Sequence, residues 1–193
     1  MNTVDTHAVE SQVKDMYERV ANDPHGDFHF EMGRALAERL GYSPYDLDRV
    51  PAPSMDSFAG VGQHFDLAAL QAGERVLDLG SGSGLDSFVA SLKVGPTGQV
   101  VGVDMTDGQL EKATELRQRG GFSNIEYVKG YIDQLPFEDE SFDSVISNGV
   151  INLVANKEAT FEEAARVLKP GGRIALSDIV TGVELPNGIV CNA

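Results

Sequence analysis

Apolar residues in this chain recur with two different periods, and the change between them falls near residue 74. Val9, Val13, Met16, Tyr17 and Val20 fall on one side at helical spacing, which predicts a helix from about Val9 to Val20 with one buried face. Asn22-Asp23-Pro24-His25-Gly26-Asp27 breaks it. A second helix is predicted from about Phe28 to Leu40, stopped by Gly41. Ser43-Pro44 and Pro51-Ala52-Pro53 mark a loop-rich passage. Residues 1–70 read as an N-terminal helical extension laid over the mouth of a core domain, 71–193.

From Glu74 short apolar runs alternate with helical patterns, the signature of an α/β fold with a parallel sheet. Arg75 to Leu79 is a first strand, buried on both faces. A helix follows from about Gly84 to Lys93, and Gly95-Pro96-Thr97-Gly98 turns the chain into a second strand, Val100 to Val103, ending on Asp104. The next helix spans about Asp107 to Arg119, and Thr106-Asp107-Gly108-Gln109 reads as its capping box. Ile125 to Lys129 is a third strand and Val145-Ile146 a fourth, ending at Ser147-Asn148. A helix from about Lys157 to Leu168 is stopped by the turn Lys169-Pro170-Gly171-Gly172, and Arg173 to Ser177 is a fifth strand.

Candidate chemistry concentrates after the first strand. Asp78, Gly80, Ser81, Gly82 and Gly84 lie in a strand–glycine turn–helix passage, where the backbone can approach a ligand closely and the helix start offers free N–H groups. The spacing is not G-x-G-x-x-G, because Leu85 stands where the third glycine belongs, and no Lys follows to make a P-loop. Asp104 lies about 24 residues beyond Gly80, the separation at which a carboxylate at the tip of a second strand accepts hydrogen bonds from a ribose diol. The capping box leaves it free for that task.

Composition narrows the classes of function. The formal net charge of −15 opposes binding to nucleic-acid backbones or an anionic membrane surface. No apolar run is long enough to span a membrane, and the first residues have no secretion-signal pattern. One cysteine, Cys191, leaves no disulfide framework or cysteine-rich metal site, and the histidines show no metal-ligand spacing in a helix. The expected compartment is the cytosol, and no metal is expected.

Together, Asp78 to Gly84, Gly102-Val103-Asp104-Met105, Gly130 to Pro136, Phe142-Asp143 and Val167 to Gly172 resemble, in order, the motifs of the class I S-adenosylmethionine (SAM)-dependent methyltransferases. The resemblance covers about residues 72–180. It implies a Rossmann-like, doubly wound parallel sheet of order 3-2-1-4-5. Relatives continue with a helix and an antiparallel hairpin, for which Ile179 to Ala193 is too short. The core therefore reads as truncated after the fifth strand, whose bare edge invites pairing with a second copy.

Gly102 to Thr106, Ser147 to Leu153, and the passage from Leu40 to Gly62 look most like the arsenite methyltransferases. That subfamily holds trivalent arsenic with cysteine thiolates, soft ligands for a soft ion. Two of its cysteine slots are Val61 and Gly149 here, so arsenite is not an expected acceptor.

By the same resemblance, Gly80, Ser81 and Gly82 back the methionine and ribose of SAM, and Asp104 takes the ribose hydroxyls. Met105 and Ile132 sandwich the adenine. Tyr131 stands where many relatives have an Asp for the adenine amine, and Asp133 is the candidate in its place. Ser147 and Asn148 are expected near the methionine carboxylate and amine or the transferable methyl. Tyr17 resembles an aromatic that closes over the cofactor, a packed core tyrosine being the alternative. The implied reaction is methyl transfer to a small molecule, leaving S-adenosylhomocysteine, with no obligatory catalytic residue. A SAM-binding but catalytically silent protein is the other reading.

Overall fold

Val76, Leu77 and Leu79 are fully buried in β1 (Arg75–Leu79), each contributing about 1.5–3 kcal/mol. Alternation along the strands serves two cores. Val76, Val100, Ile125 and Ile146 face one side, with Phe88 and Val89; Leu77, Leu79, Val101 and Val103 face the other, with Ala164 and Val167. The protein is seen as a computed structural model that describes residues 6–180 and 182. Cys191 lies outside the described residues, as do the side chains of His7 and Val9.

The sheet has five strands in the order β3-β2-β1-β4-β5, every pair parallel. The others are β2 (Gln99–Asp104), β3 (Ile125–Lys129), β4 (Phe142–Asn148) and β5 (Leu168–Ser177). On the first face lie α6 (Leu85–Val94) and α7 (Asp107–Gly120); on the second lies α8 (Lys157–Val167). This is the α/β architecture and strand order that the motifs implied. Among the described residues the outer edge of β5 pairs with no strand, and Ile174 on it is 39% exposed.

Before the sheet come α1 (Thr6–Asn22), α2 (Arg34–Arg39), α3 (Pro44–Leu47), α4 (Ala52–Asp56) and α5 (Phe65–Ala68). Tyr42, Leu47, Met55, Phe58 and Phe65 from this region share one cluster with Phe88 of α6.

Local structure departs from expectation in four places. The second helix begins at Arg34, not Phe28: Gly33 has φ +94°, and Phe28 and Phe30 pack together at 5.6 Å while Phe30 stacks on Tyr17 at 6.4 Å. The proline-rich passage holds α3 and α4, because proline in a first turn costs no intrahelical hydrogen bond. Lys169 to Gly172 form an irregularity within β5: Phe142 pairs with Leu168, and pairing resumes at Ser144 with Arg173. Thr106 caps α7 without a side-chain hydrogen bond, so the predicted capping box does not form.

Candidate cofactor site

A cavity of about 480 Å³ opens above the C-terminal ends of β1, β2 and β4, where parallel α/β sheets hold ligands. Its floor is the turn after β1. Gly80 (φ +69°) and Gly82 (φ +51°) adopt backbone geometry that side chains disfavour, and a Cβ on Gly80 would meet Val150 Cγ1 at 2.6 Å. Gly84 (φ +92°) caps α6, whose N-terminus faces the cavity.

Ser81 is buried, its N–H donates to Val103 O at 2.9 Å, and its Oγ has no partner among the described residues. Asp104 lines the wall beyond. Its Oδ2 accepts from Gly82 N and its Oδ1 from Thr106 N, both at 2.9 Å. The carboxylate is thus engaged by the start of α7, contrary to the expectation that a capping box would free it. These bonds fix its orientation while each oxygen retains accepting capacity. Burial pushes its pKa up, and the backbone N–H bonds oppose that rise.

Met105, Ile132 and Asp133 line the same end of the cavity. Tyr17 reaches it from α1, and burial, then Asp104, raises the pKa of its hydroxyl. Its carbonyl accepts from Gln109 Nε2 at 3.0 Å, and Gln109 Oε1 accepts from Ser83 Oγ. The residue expected to close a capping box therefore ties α1 to the glycine turn.

Asp78 is 2% exposed, and its Oδ2 accepts from Ser87 Oγ at 2.6 Å. Burial first, and the neighbouring Asp86 second, push its pKa well above the carboxylate range. Asp86 was not singled out in the sequence. It is buried in the cavity wall and accepts from the Tyr42 hydroxyl, a residue 44 positions away that sequence spacing could not pair with it. Among the described residues, neither Asp78, Asp86 nor Asp104 forms an ion pair.

Two expected site residues act differently. Ser147 is fully buried outside the cavity lining, and its Oγ donates to Leu79 O at 3.3 Å. A strand-end hydroxyl next to β1 finds its partner in that strand. Asn148 does line the cavity, but its amide is spent inside the protein, on Tyr42, Asp86 and the backbone of Val61 and Gly62. The two slots of the arsenite subfamily's cysteines are adjacent, since a Cβ on Gly149 would lie 3.3 Å from Val61 Cγ1. Among the described residues no group of three or more His, Cys, Asp or Glu could hold a metal ion.

The residues present fit SAM. A side-chain-free cradle meets the helix start, an oriented carboxylate stands at the tip of β2, and acids that form no ion pair among the described residues suit a cationic ligand. The fold is that of the doubly wound α/β proteins that hold ligands at the C-terminal ends of their strands. A family profile described as a methyltransferase domain matches residues 70–193, and the chain belongs to this SAM-dependent family.

Within that family it is close to the arsenite methyltransferases. That of Halobacterium salinarum is 45% identical over 153 residues, covering 79% of this chain and 39% of that protein. The ubiquinone/menaquinone biosynthesis C-methyltransferase UbiE of Pseudomonas putida is 42% identical over 112 residues, covering 58% and 44%. The crystal structure of CrArsM, an arsenic(III) S-adenosylmethionine methyltransferase from Chlamydomonas reinhardtii, aligns at 38% identity and a TM-score of 0.61, over 82% of this chain and 53% of that one. The chain thus spans 39% of the first of these curated relatives and 44% of the second.

Proposed function

We propose that this chain binds SAM in the cavity above β1, β2 and β4 and transfers its methyl group to a small-molecule acceptor. The observation that carries the reading is the convergence of Asp78, Asp86 and Asp104 on a glycine-lined cavity with no ion-pair partner among the described residues. An uncompensated buried carboxylate is costly, and the sulfonium and α-ammonium of SAM supply the missing positive charge. When bound, the cofactor provides a methyl group already activated for displacement.

The chain's own residues bind, orient and enclose. Gly80, Ser81 and Gly82 lie beneath the methionine and ribose, and Asp104 accepts from the ribose hydroxyls with its remaining lone pairs. Met105 and Ile132 flank the adenine, with Asp133 beside its amine. Tyr17, held through Gln109, covers the cofactor, and the segment up to residue 70 acts as the cap of the cavity. Val13, Phe58, Val150, Leu153 and Val154 give the rest of the cavity an apolar patch, against which a small acceptor aligns with the C–S bond, beside the polar Ser54, Ser57, Asn152 and Lys157.

Similarity to the arsenite methyltransferases supports the reaction class. It does not carry over the acceptor, because the adjacent slots Val61 and Gly149 bear no thiol. The test is transfer of tritium from methyl-labelled SAM to pooled small-molecule extracts, with arsenite alone as a separate arm. Label is expected in an organic small molecule and not in methylarsenic. Binding without transfer would contradict the enzymatic reading, and methylarsenic would contradict the choice of acceptor.

A further inference from the structure

Residues 59–62 cross from α4 towards α5 without regular structure, and Phe58, Ala59 and Gly60 wall the cavity. Among the described residues the backbone of 59–62 makes three hydrogen bonds, and all end on one side chain. Val61 N and Gly62 N donate to Asn148 Oδ1 at 2.9 and 3.3 Å, and Asn148 Nδ2 donates to Gly62 O at 2.9 Å. The second hydrogen of Nδ2 is shared between the Tyr42 hydroxyl at 2.9 Å and Asp86 Oδ2 at 3.1 Å, and that hydroxyl donates to Asp86 Oδ1. The glycines let the segment ride this close. A Cβ on Gly60 would lie 2.6 Å from Asn148 Nδ2, and one on Gly62 would lie 2.6 Å from Ser177 Oγ.

We propose that Asn148 is a positioning residue: its amide clasps the backbone of Val61 and Gly62 and thereby sets the Phe58–Gly60 wall of the cavity. The wall is the acceptor end only if the SAM reading above holds; the clasp itself belongs to the cofactor-free chain. Asparagine suits the task because one planar group offers an acceptor and two donor hydrogens. Each of these has a partner within the protein, so Asn148 acts through the segment that it holds. The clasp also roots the wall in Asp86, so the cap segment and the acidic end of the cavity share one network.

Asn148→Asp discriminates this role from bulk packing. The variant keeps the shape but loses both donors, and when ionised its carboxylate faces Asp86 and Gly62 O without an intervening hydrogen, a repulsion that draws the acceptor away from Val61 N and Gly62 N. The titratable groups around this position are Asp86 on α6, Asp78 on β1, and Tyr42 and His64 from the segment before the sheet. Protonating the new carboxyl returns one donor, so the clasp should recover in acid.

Amide hydrogen exchange on the cofactor-free full chain tests the proposal. In Asn148→Ala, protection of Val61 and Gly62 is expected to fall about tenfold or more, while the β1 amides stay within about twofold. In Asn148→Asp the loss is expected at pH 8, with recovery of about threefold or more at pH 5, each rate corrected for its intrinsic value and compared with the unmodified chain. Unchanged protection in Asn148→Ala, or pH-independent protection in Asn148→Asp, would overturn the clasp. Should Asn148→Ala fail to fold, the pH arm of Asn148→Asp decides alone. Because no SAM is added, failure here leaves the cofactor reading standing, and failure of SAM to bind leaves the clasp standing.

Discussion

Asp78 occupies a position where a carboxylate destabilises the fold that carries it. Burial and Asp86 raise its folded pKa above the unfolded value. The stability this group contributes is therefore full below the ordinary carboxylate range and is lost as pH rises through the raised folded value. Asp78→Asn removes that dependence and still accepts from Ser87. Without cofactor, the variant should melt above the unmodified protein at pH 8, the difference shrinking towards pH 4, while SAM binding weakens about tenfold or more. Thermal melts at several pH values check this, and a variant less stable at pH 8 would contradict it.

At this scale the sequence is legible where spacing alone implies the geometry. The glycines and Asp104 stand out because a strand, a turn and a second strand tip fall at fixed separations. Asp86 does not, since its partners Tyr42 and Asn148 lie 44 and 62 residues away. Gln109 is legible as a capping residue and is used to hold Tyr17 instead, because a tertiary partner outcompetes the local one.

Among the elements, the segment after β3 depends on one side chain of α8. Arg166 donates to Phe137 O at 2.7 Å and Leu135 O at 3.1 Å and pairs with Glu163, whose Oε2 accepts from Leu135 N at 2.8 Å. This network holds the stretch that presents Ile132 and Asp133 to the cavity. Arg166→Ala should lower the unfolding free energy by about 1–3 kcal/mol, through two orphaned carbonyls and a lost charge-assisted pair, with the half-exposed setting keeping it at the lower end. Urea titration reads the change, and a loss below about 0.5 kcal/mol would deny the network its role.

Strands and the long helices follow from apolar runs bounded by glycine and proline, and so were legible. Residues 28–33 were not. Their apolar spacing suits a helix, but packing of Phe30 on Tyr17 and the backbone of Gly33 decide otherwise. Lys169 to Gly172 read as a turn, and the turn residues are accommodated as an irregularity while Leu168 already pairs with β4.

Over the whole molecule, thirty acidic and fifteen basic residues leave a strong negative charge, and two buried carboxylates, Asp78 and Asp86, line one cavity with the half-buried Asp104. Surface acids are solvated, whereas the buried ones would be compensated by the cationic cofactor proposed above. The segment before the sheet and the sheet share a hydrophobic cluster, so the cavity wall is shaped by residues far from the motifs that mark it.

The most direct test is calorimetric titration of SAM into the unmodified chain and into Asp104→Ala. Binding at a single site is expected, weakened in the variant by about 1.5–3 kcal/mol through loss of a charged acceptor for two hydroxyls. No binding to the unmodified chain, or a dissociation constant in Asp104→Ala within about twofold of it, would contradict a SAM site in this cavity.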